Sequence, residues 1–190
     1  MPVMWHDSGV EWPGSRLVIE RLAGMGLAPE LHVATTDADI PELKRLQSAG
    51  KISAQQKDEI ALFGPVRNLV DRQGFDAVAL GLRKQESKGR KMDGVVHGPI
   101  YMRKDGMLRC NPISDWSWQD VFACIAEHHL PLHPIYSAPL LQMENRGRIR
   151  LSWWLSTDHW RHGEIKWVRT IYPQVYSEIA RHVPEVSLYA

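Results

Sequence analysis

Apolar residues fall into short runs broken by turn residues through the first 80 positions, and that rhythm predicts alternating strands and helices. Residues 2–6 form a short apolar run that predicts a buried strand, followed by the Asp7-Ser8-Gly9 turn. Leu17, Val18, Leu22 and Met25 fall on one face of a helix over residues 15–25, ended by Gly24 and Gly26. Residues 31–34 predict a second strand, 35–39 a polar loop, and Ile40-Pro41 opens a helix reaching about Ala49. Ser53 is a candidate N-cap for a longer helix to about Gln73, with Ile60, Leu62, Phe63, Val66, Leu69 and Val70 as apolar positions. Residues 75–80 predict a third, buried strand. This alternation is the pattern of a parallel sheet covered by helices.

Beyond the third strand the texture changes. Residues 95–103 and 107–111 flank Lys104-Asp105-Gly106 and predict a hairpin. Ser117-Trp118-Gln119-Asp120 has capping-box spacing ahead of Val121, Phe122, Cys124 and Ile125, in a helix that ends near His128-His129. Residues 131–134 are extended, 140–145 predict a short helix, and 163–171 and 173–182 two final helices split by Pro173. The expected organisation is one domain over 1–190, with an α/β sheet core at 1–110 and a small irregular helical part at 111–190.

Composition narrows the classes. Of 190 residues, 44% are hydrophobic and 24% charged, an ordinary globular balance. A net charge of +1 argues against a chain that coats nucleic acid as a whole, so any anion site must be local. Cys110 and Cys124 are the only cysteines, not in a C-x-x-C, and no Cys/His spacing suits zinc or an iron–sulfur cluster. No metal site is expected. No apolar run approaches about 18 residues and no signal-peptide order is present, so no membrane segment is expected and the cytoplasm is the expected location.

Against that neutral background, Arg83, Lys84, Lys88, Arg90 and Lys91 crowd into nine residues behind a strand. A strand emptying into a basic, Gly-bounded loop is where open α/β sheets hold anions, and an Arg fork suits phosphate or sulfate. The bland alternative is a solvated loop. Glu86 among the cations would anchor an Arg, or cap the next segment through Ser87. Asp7, just past a strand, suits a ribose hydroxyl or a metal-bound phosphate, or simply a turn. Residues 111–121 read as a structural cap with packed tryptophans. Arg146, Arg148, Arg150, His159, Arg161, His162 and Lys166 interleave with Trp153, Trp154, Trp160 and Trp167, a mixture that suits nucleic-acid binding or cation–π packing. His128, His129 and His133, interrupted by Pro131, read as surface.

Four stretches together resemble the phosphoadenosine-phosphosulfate (PAPS) reductase family of the adenine-nucleotide α-hydrolase-like superfamily. His6-Asp7-Ser8-Gly9-Val10-Glu11-Trp12-Pro13 looks like its D-T/S-G-x-E-F/W-P segment, and residues 81–90 like its G-x-R-x-x-E-S-x-x-R loop. Residues 112–121 resemble P-[ILV]-x-[DN]-W-x-x-x-D-V, and Pro131-Leu132-His133-Pro134-Ile135-Tyr136 the P-x-x-P-x-Y that follows. The resemblance implies a three-layer sandwich with a mainly parallel sheet. It implies that Arg83, Lys84, Glu86, Ser87 and Arg90 meet the phosphate or sulfate end of an adenine nucleotide or sulfonucleotide. Asp7, Ser8 and Gly9 would lie beside the nucleotide, with Mg2+ if the ligand is ATP.

Two departures shape the remaining expectations. The family's S-G-G-K-D-S pyrophosphate loop normally precedes the Asp-Ser-Gly turn, which here stands at residue 7. An upstream start, or a second chain supplying that unit, is the expectation, and an edge left exposed would favour a homodimer. Family reductases also carry a nucleophilic cysteine near the C-terminus, whereas no cysteine follows Cys124. That argues against thiol-based sulfonucleotide reduction with a thioredoxin-like reductant by this chain alone. The resemblance implies first an enzyme acting at the phosphate or sulfate end of the nucleotide, by sulfonucleotide reduction or ATP-pyrophosphatase-type chemistry, with no catalytic residue assigned. The alternatives are a catalytically degenerate nucleotide-binding or regulatory module, and a nucleic-acid binder using the Arg/Trp-rich tail.

Overall fold

Parallel pairing of β1 (Val3–Asp7) with β2 (Leu31–Thr35), in register from Val3↔Leu31 to Asp7↔Thr35, starts the fold. The computed structural model describes residues 1–137, 149, 151, 160 and 163–190; the helix expected at 140–145 lies outside them. The chain divides into two compact units, Met1–Leu69 with Pro131–Ala190, and Val70–Leu130.

In the first unit α1 (Ser15–Gly24) links the two strands. Gly14 precedes it at φ +98°, and a Cβ there would come within 3.1 Å of the Pro134 ring. A side chain is therefore excluded twice, by the left-handed backbone and by this contact. α2 (Ile40–Ser48) starts where Asp39 accepts from the Glu42 amide at 2.9 Å. Ser53 and Gln56 form a reciprocal capping box ahead of α3 (Ala54–Asp58). A π-helical turn, Glu59–Phe63, then leads into α4 (Gly64–Gln73).

The sequence explains that widened turn. Pro65 has no N–H for the carbonyl of Ala61, four residues earlier. Ala61 is fully buried, so its carbonyl needs another donor, and His6 Nε2 supplies one at 2.9 Å. Gly64 completes the arrangement, since a Cβ there would stand 2.9 Å from the Glu59 carbonyl.

α7 (Glu164–Ile171) and α8 (Pro173–His182) follow, split at Pro173 as the sequence predicts. Their inner faces, with Trp12, Ile135, Trp160 and Val186, build the core of this unit. His133 is buried there, not on the surface as its sequence context suggests, because the Pro131–Pro134 segment packs inward against Gly14 and Trp167.

The second unit holds β3 (Ala77–Ala79), β4 (Ile100–Met102) and β5 (Leu108–Cys110) in the order β3-β5-β4. β3 runs parallel to β5, and the β4–β5 hairpin closes where the Arg103 amide donates to Met107 O at 2.9 Å. The third strand is shorter than the apolar run 75–80, and it is not buried: Ala77 and Ala79 are exposed. Nor do residues 95–97 extend the hairpin. They finish α5 (Lys88–His97), which begins inside the basic run that reads as a loop. Ser87 caps that helix, accepting from the Arg90 amide at 3.1 Å, and Lys and Arg are good helix formers behind such a cap. α6 (Trp118–Glu127) starts at the predicted Ser117/Asp120 capping box.

Every buried apolar residue among those described belongs to the first unit, whereas the second buries Arg83, Asn111 and Ser114. Register places Ala77, Leu108 and Met102 on one face of the three-stranded sheet, with Ala79, Cys110 and Ile100 beside them. All but the half-buried Cys110 are exposed. The architecture is thus α/β, with a two-stranded parallel sheet, a three-stranded mixed sheet and a helical C-terminal region. Among the described residues no helix is long and apolar enough to cross a membrane.

Candidate anion-binding site

In the second unit the backbone leaves β3 at Leu80, whose amide donates to Cys110 O at 2.9 Å, and enters the basic segment. Arg83 is buried. Its guanidinium donates to Gln85 Oε1 at 3.3 Å and lies 3.4 Å from Glu86. Glu86 accepts from the Arg83 amide at 3.3 Å as well, and its other flank is paired with Arg90. One carboxylate therefore holds both arginines, which is the anchoring role its position among cations suggests.

Lys84 is placed differently. Its amide donates to Ser114 O at 2.8 Å, and its aliphatic stem crosses Gly94 of α5. A Cβ at Gly94 would stand 2.6 Å from Lys84 Cε, so glycine there makes room for the stem. The ammonium donates to Asp115 Oδ1 at 2.6 Å. That hydrogen bond, with a smaller contribution from Ser114, holds the Asp115 carboxyl below the usual range. Gln85 Oε1 also accepts from the Trp118 amide at 2.8 Å, satisfying a donor in the first turn of α6. Asp120 lies below its ordinary range because the Ser117 backbone and hydroxyl both donate to it.

These contacts bring two separate sequence segments to one cleft of about 290 Å3, between Lys84, Gln85 and Lys91 on one side and Ser114, Asp115, Trp116 and Ser117 on the other. Of the sequence-derived candidates, Lys84 lines it. Arg83, Glu86, Ser87 and Arg90 are not among its lining residues: Glu86 pairs with both arginines, and Ser87 caps α5. Lys88 and Lys91 have no carboxylate partner among the described residues. Gln85, Ser114 and Asp115 escaped the sequence-derived set, although Asp115 stands inside the quoted Asp-Trp pattern. Its pairing with Lys84 spans 31 residues, and no local spacing reports that.

Asp7, Ser8 and Gly9 belong to the first unit. There Asp7 Oδ1 accepts from the Gly9 amide at 3.0 Å and Oδ2 meets Arg16 at 2.5 Å, while Arg16 lies over the Trp5 ring. Ser8 Oγ donates to Glu11 at 2.7 Å. Burial raises the Glu11 carboxyl above its usual value, and the Ser8 hydrogen bonds offset part of that. The turn is locally self-satisfied. Trp160 and Trp167 are core residues rather than stacking platforms, and Lys44 lies over Trp160. Arg146, Arg148, Arg150, Trp153, Trp154, His159, Arg161 and His162 lie outside the described residues. Among the described residues no three His, Cys, Asp or Glu side chains gather as a metal site.

The second unit of this α/β fold thus carries a cleft lined by two lysines and one aspartate, formed by the segment that follows β3 and the segment that precedes α6. The model of the phosphoadenosine phosphosulfate reductase domain matches residues 1–147, and the chain belongs to that family. Phosphoadenosine 5'-phosphosulfate reductase of Alkalilimnicola ehrlichii is 27% identical over 139 residues, 72% of this chain and 55% of that protein. The Proteus mirabilis enzyme is 23% identical over 146 residues, 75% of this chain and 58% of that protein. That of Xanthomonas oryzae pv. oryzae is 28% identical over 92 residues, 48% and 36% of the two chains. The chain spans about half the length of the curated relatives it matches. The crystal structure of PAPS reductase from Candida auris, a phosphate complex, superposes with a TM-score of 0.58 at 19% identity over 82% of this chain and 71% of that one, a likeness of fold.

Proposed function

We propose that the chain binds an adenine nucleotide or sulfonucleotide through its phosphate or sulfate end, at the cleft between Lys84 and Asp115. The observation that carries this reading is the convergence on one cleft of a cation-rich helix start and the Ser114–Ser117 segment, both inside the stretch matched by the family model. Lys88, Arg90 and Lys91 sit in the first turns of α5, with no acidic residue in the first turn. Cations there oppose the helix dipole, and an anion held at that end relieves the conflict. Arg90 and Lys91 would neutralise the ligand, with Arg83 and Glu86 as their frame. Asp7, Ser8 and Gly9 of the first unit are proposed separately as nucleotide contacts, with Mg2+ as an added partner if the nucleotide is ATP. The relatives' names point to a sulfonucleotide, and the Candida auris enzyme was solved with phosphate.

Neither cysteine is presented as a nucleophile. Cys110 sits inside a ladder between Ala79 and Ile100, and Cys124 is half-buried on α6. This supports binding over unaided thiol chemistry with a thioredoxin-like reductant. In the second unit β3 is an edge strand of its sheet among the described residues, and Ile100 and Met102 on that sheet are exposed. We infer that polypeptide from outside residues 1–190 adds a parallel strand and its helix there, completing a mainly parallel three-layer sandwich.

Calorimetric titration with ATP, adenylyl sulfate and PAPS tests the reading. Binding of at least one, weakened by Arg90→Ala by about 1.5–3 kcal/mol, is expected. Absence of nucleotide binding together with tight, salt-sensitive binding of single-stranded DNA would reverse it.

A further inference from the structure

Within the cleft, one cation is already answered by a carboxylate of the chain itself. Asp115 Oδ1 accepts from Lys84 Nζ at 2.6 Å, directly on the cleft wall. The two partners differ in freedom. The Lys84 stem is fixed across Gly94 and its side chain is 29% exposed, whereas the Asp115 side chain is 73% exposed. Beyond Lys84, Asp115 meets only the neighbouring Ser114 hydroxyl, at 3.3 Å, among the contacts described. Rotation of its side chain therefore releases the ammonium without moving the backbone.

Lys91, on the same cleft, has no such carboxylate among the described residues. With Lys84 and Lys91 positive and Asp115 negative, the lining carries one net positive charge. A dianionic phosphate finds a second unit of positive charge only when Asp115 has left Lys84. An exposed ion pair of this kind is worth little in water, so a multiply charged ligand can replace it.

We propose that Asp115 is a built-in competitor for the anion: its carboxylate holds Lys84 until the ligand's charged group displaces it, and it thereby sets the affinity and charge preference of the cleft. The inference rests on the anion-binding reading above. It assigns Asp115 a role in selection rather than in chemistry. The same contact keeps the Lys84 ammonium on the cleft wall.

The test is calorimetric titration of the 190-residue protein with inorganic phosphate at pH 8 and low ionic strength. Wild type, Asp115→Asn, Asp115→Ala, Lys84→Met and the Lys84→Met/Asp115→Asn double variant are compared, with circular dichroism to check that each is folded. Both Asp115 variants should bind phosphate about three- to tenfold more tightly than wild type, the range expected for removing a surface ion pair and a repelling charge. The gain should vanish in the Lys84→Met background. If wild type binds phosphate and the Asp115 variants bind no better, the competitor role is overturned while the anion site stands. If none of the Lys84-containing proteins binds phosphate, both are overturned.

Discussion

Arg83 and Arg90 share the carboxylate of Glu86, yet their substitution should read out differently. Arg83 and Glu86 are both nearly buried, with side chains 10% and 13% exposed, so Arg83→Ala leaves a carboxylate short of one partner in a desolvated place. A loss of about 3 kcal/mol in unfolding free energy, read from a urea melt, is expected. Arg90 is far more exposed, and Arg90→Ala should cost less than about 1 kcal/mol of stability while weakening nucleotide binding. His133 gives a pH signature. Desolvation lowers it from 6.5 to about 4, with the Pro13 carbonyl offsetting part. Between these values the unfolded chain takes up a proton that the folded chain refuses. The contribution is therefore complete above pH 6.5 and is lost as pH falls towards 4. About 2 kcal/mol of that slope, after solvent screening, should disappear in His133→Phe when urea midpoints at pH 7 and 4.5 are compared. At this scale the sequence showed which residues carry charge but not who partners whom. Glu86 between two arginines was legible because the spacing is local, three and four residues along one turn. Lys84 with Asp115 was not, nor was the burial of His133, because both depend on segments far apart in sequence.

At the scale of elements, local chemistry was read well. The capping boxes at Ser53 and Ser117 lie within four residues of sequence, and both helices start there. The basic run was harder. Its cations suggested a loop, but Ser87 caps a helix within it. Ser87→Ala should lower stability by about 1 kcal/mol, and Ser87→Asp should retain stability while weakening phosphate binding through its added charge. Thermal melts and phosphate titration separate the two effects. The π-helical turn shows a tertiary contact settling what propensity could not. Pro65 frees the Ala61 carbonyl, and strand β1 brings a donor, His6, to it. His6→Phe should cost about 1–3 kcal/mol, the cost of an unpaired buried carbonyl. Pro65→Ala restores a donor, so a double-mutant cycle should show coupling of about 1 kcal/mol or more. Additivity in that cycle would mean that the two residues act separately.

For the whole molecule, the distribution of buried apolar surface decides the behaviour. The first unit owns the core, and the second is held by polar pairs and short strands. A three-residue ladder beside exposed Ile100, Met102, Val95 and Val96 has little to resist opening. In the 190-residue protein alone, the amides of Leu80 and Leu108 should exchange within minutes, while those of α7 and α8 stay protected for far longer. Equal protection across both units would contradict the view that the second unit needs cover from further polypeptide. The strand–helix alternation was visible in sequence because periodicity is local. The division into two sheets was not, since which strands pair depends on which neighbours are present. The central claim is that the cleft beside Lys84 holds the anionic end of a nucleotide. The most direct measurement is calorimetric titration of the 190-residue protein and its Lys84→Met/Lys91→Met variant with PAPS at low salt. The account predicts saturable binding by the wild type that is at least tenfold weaker in the folded variant; equal affinity in both proteins would contradict it.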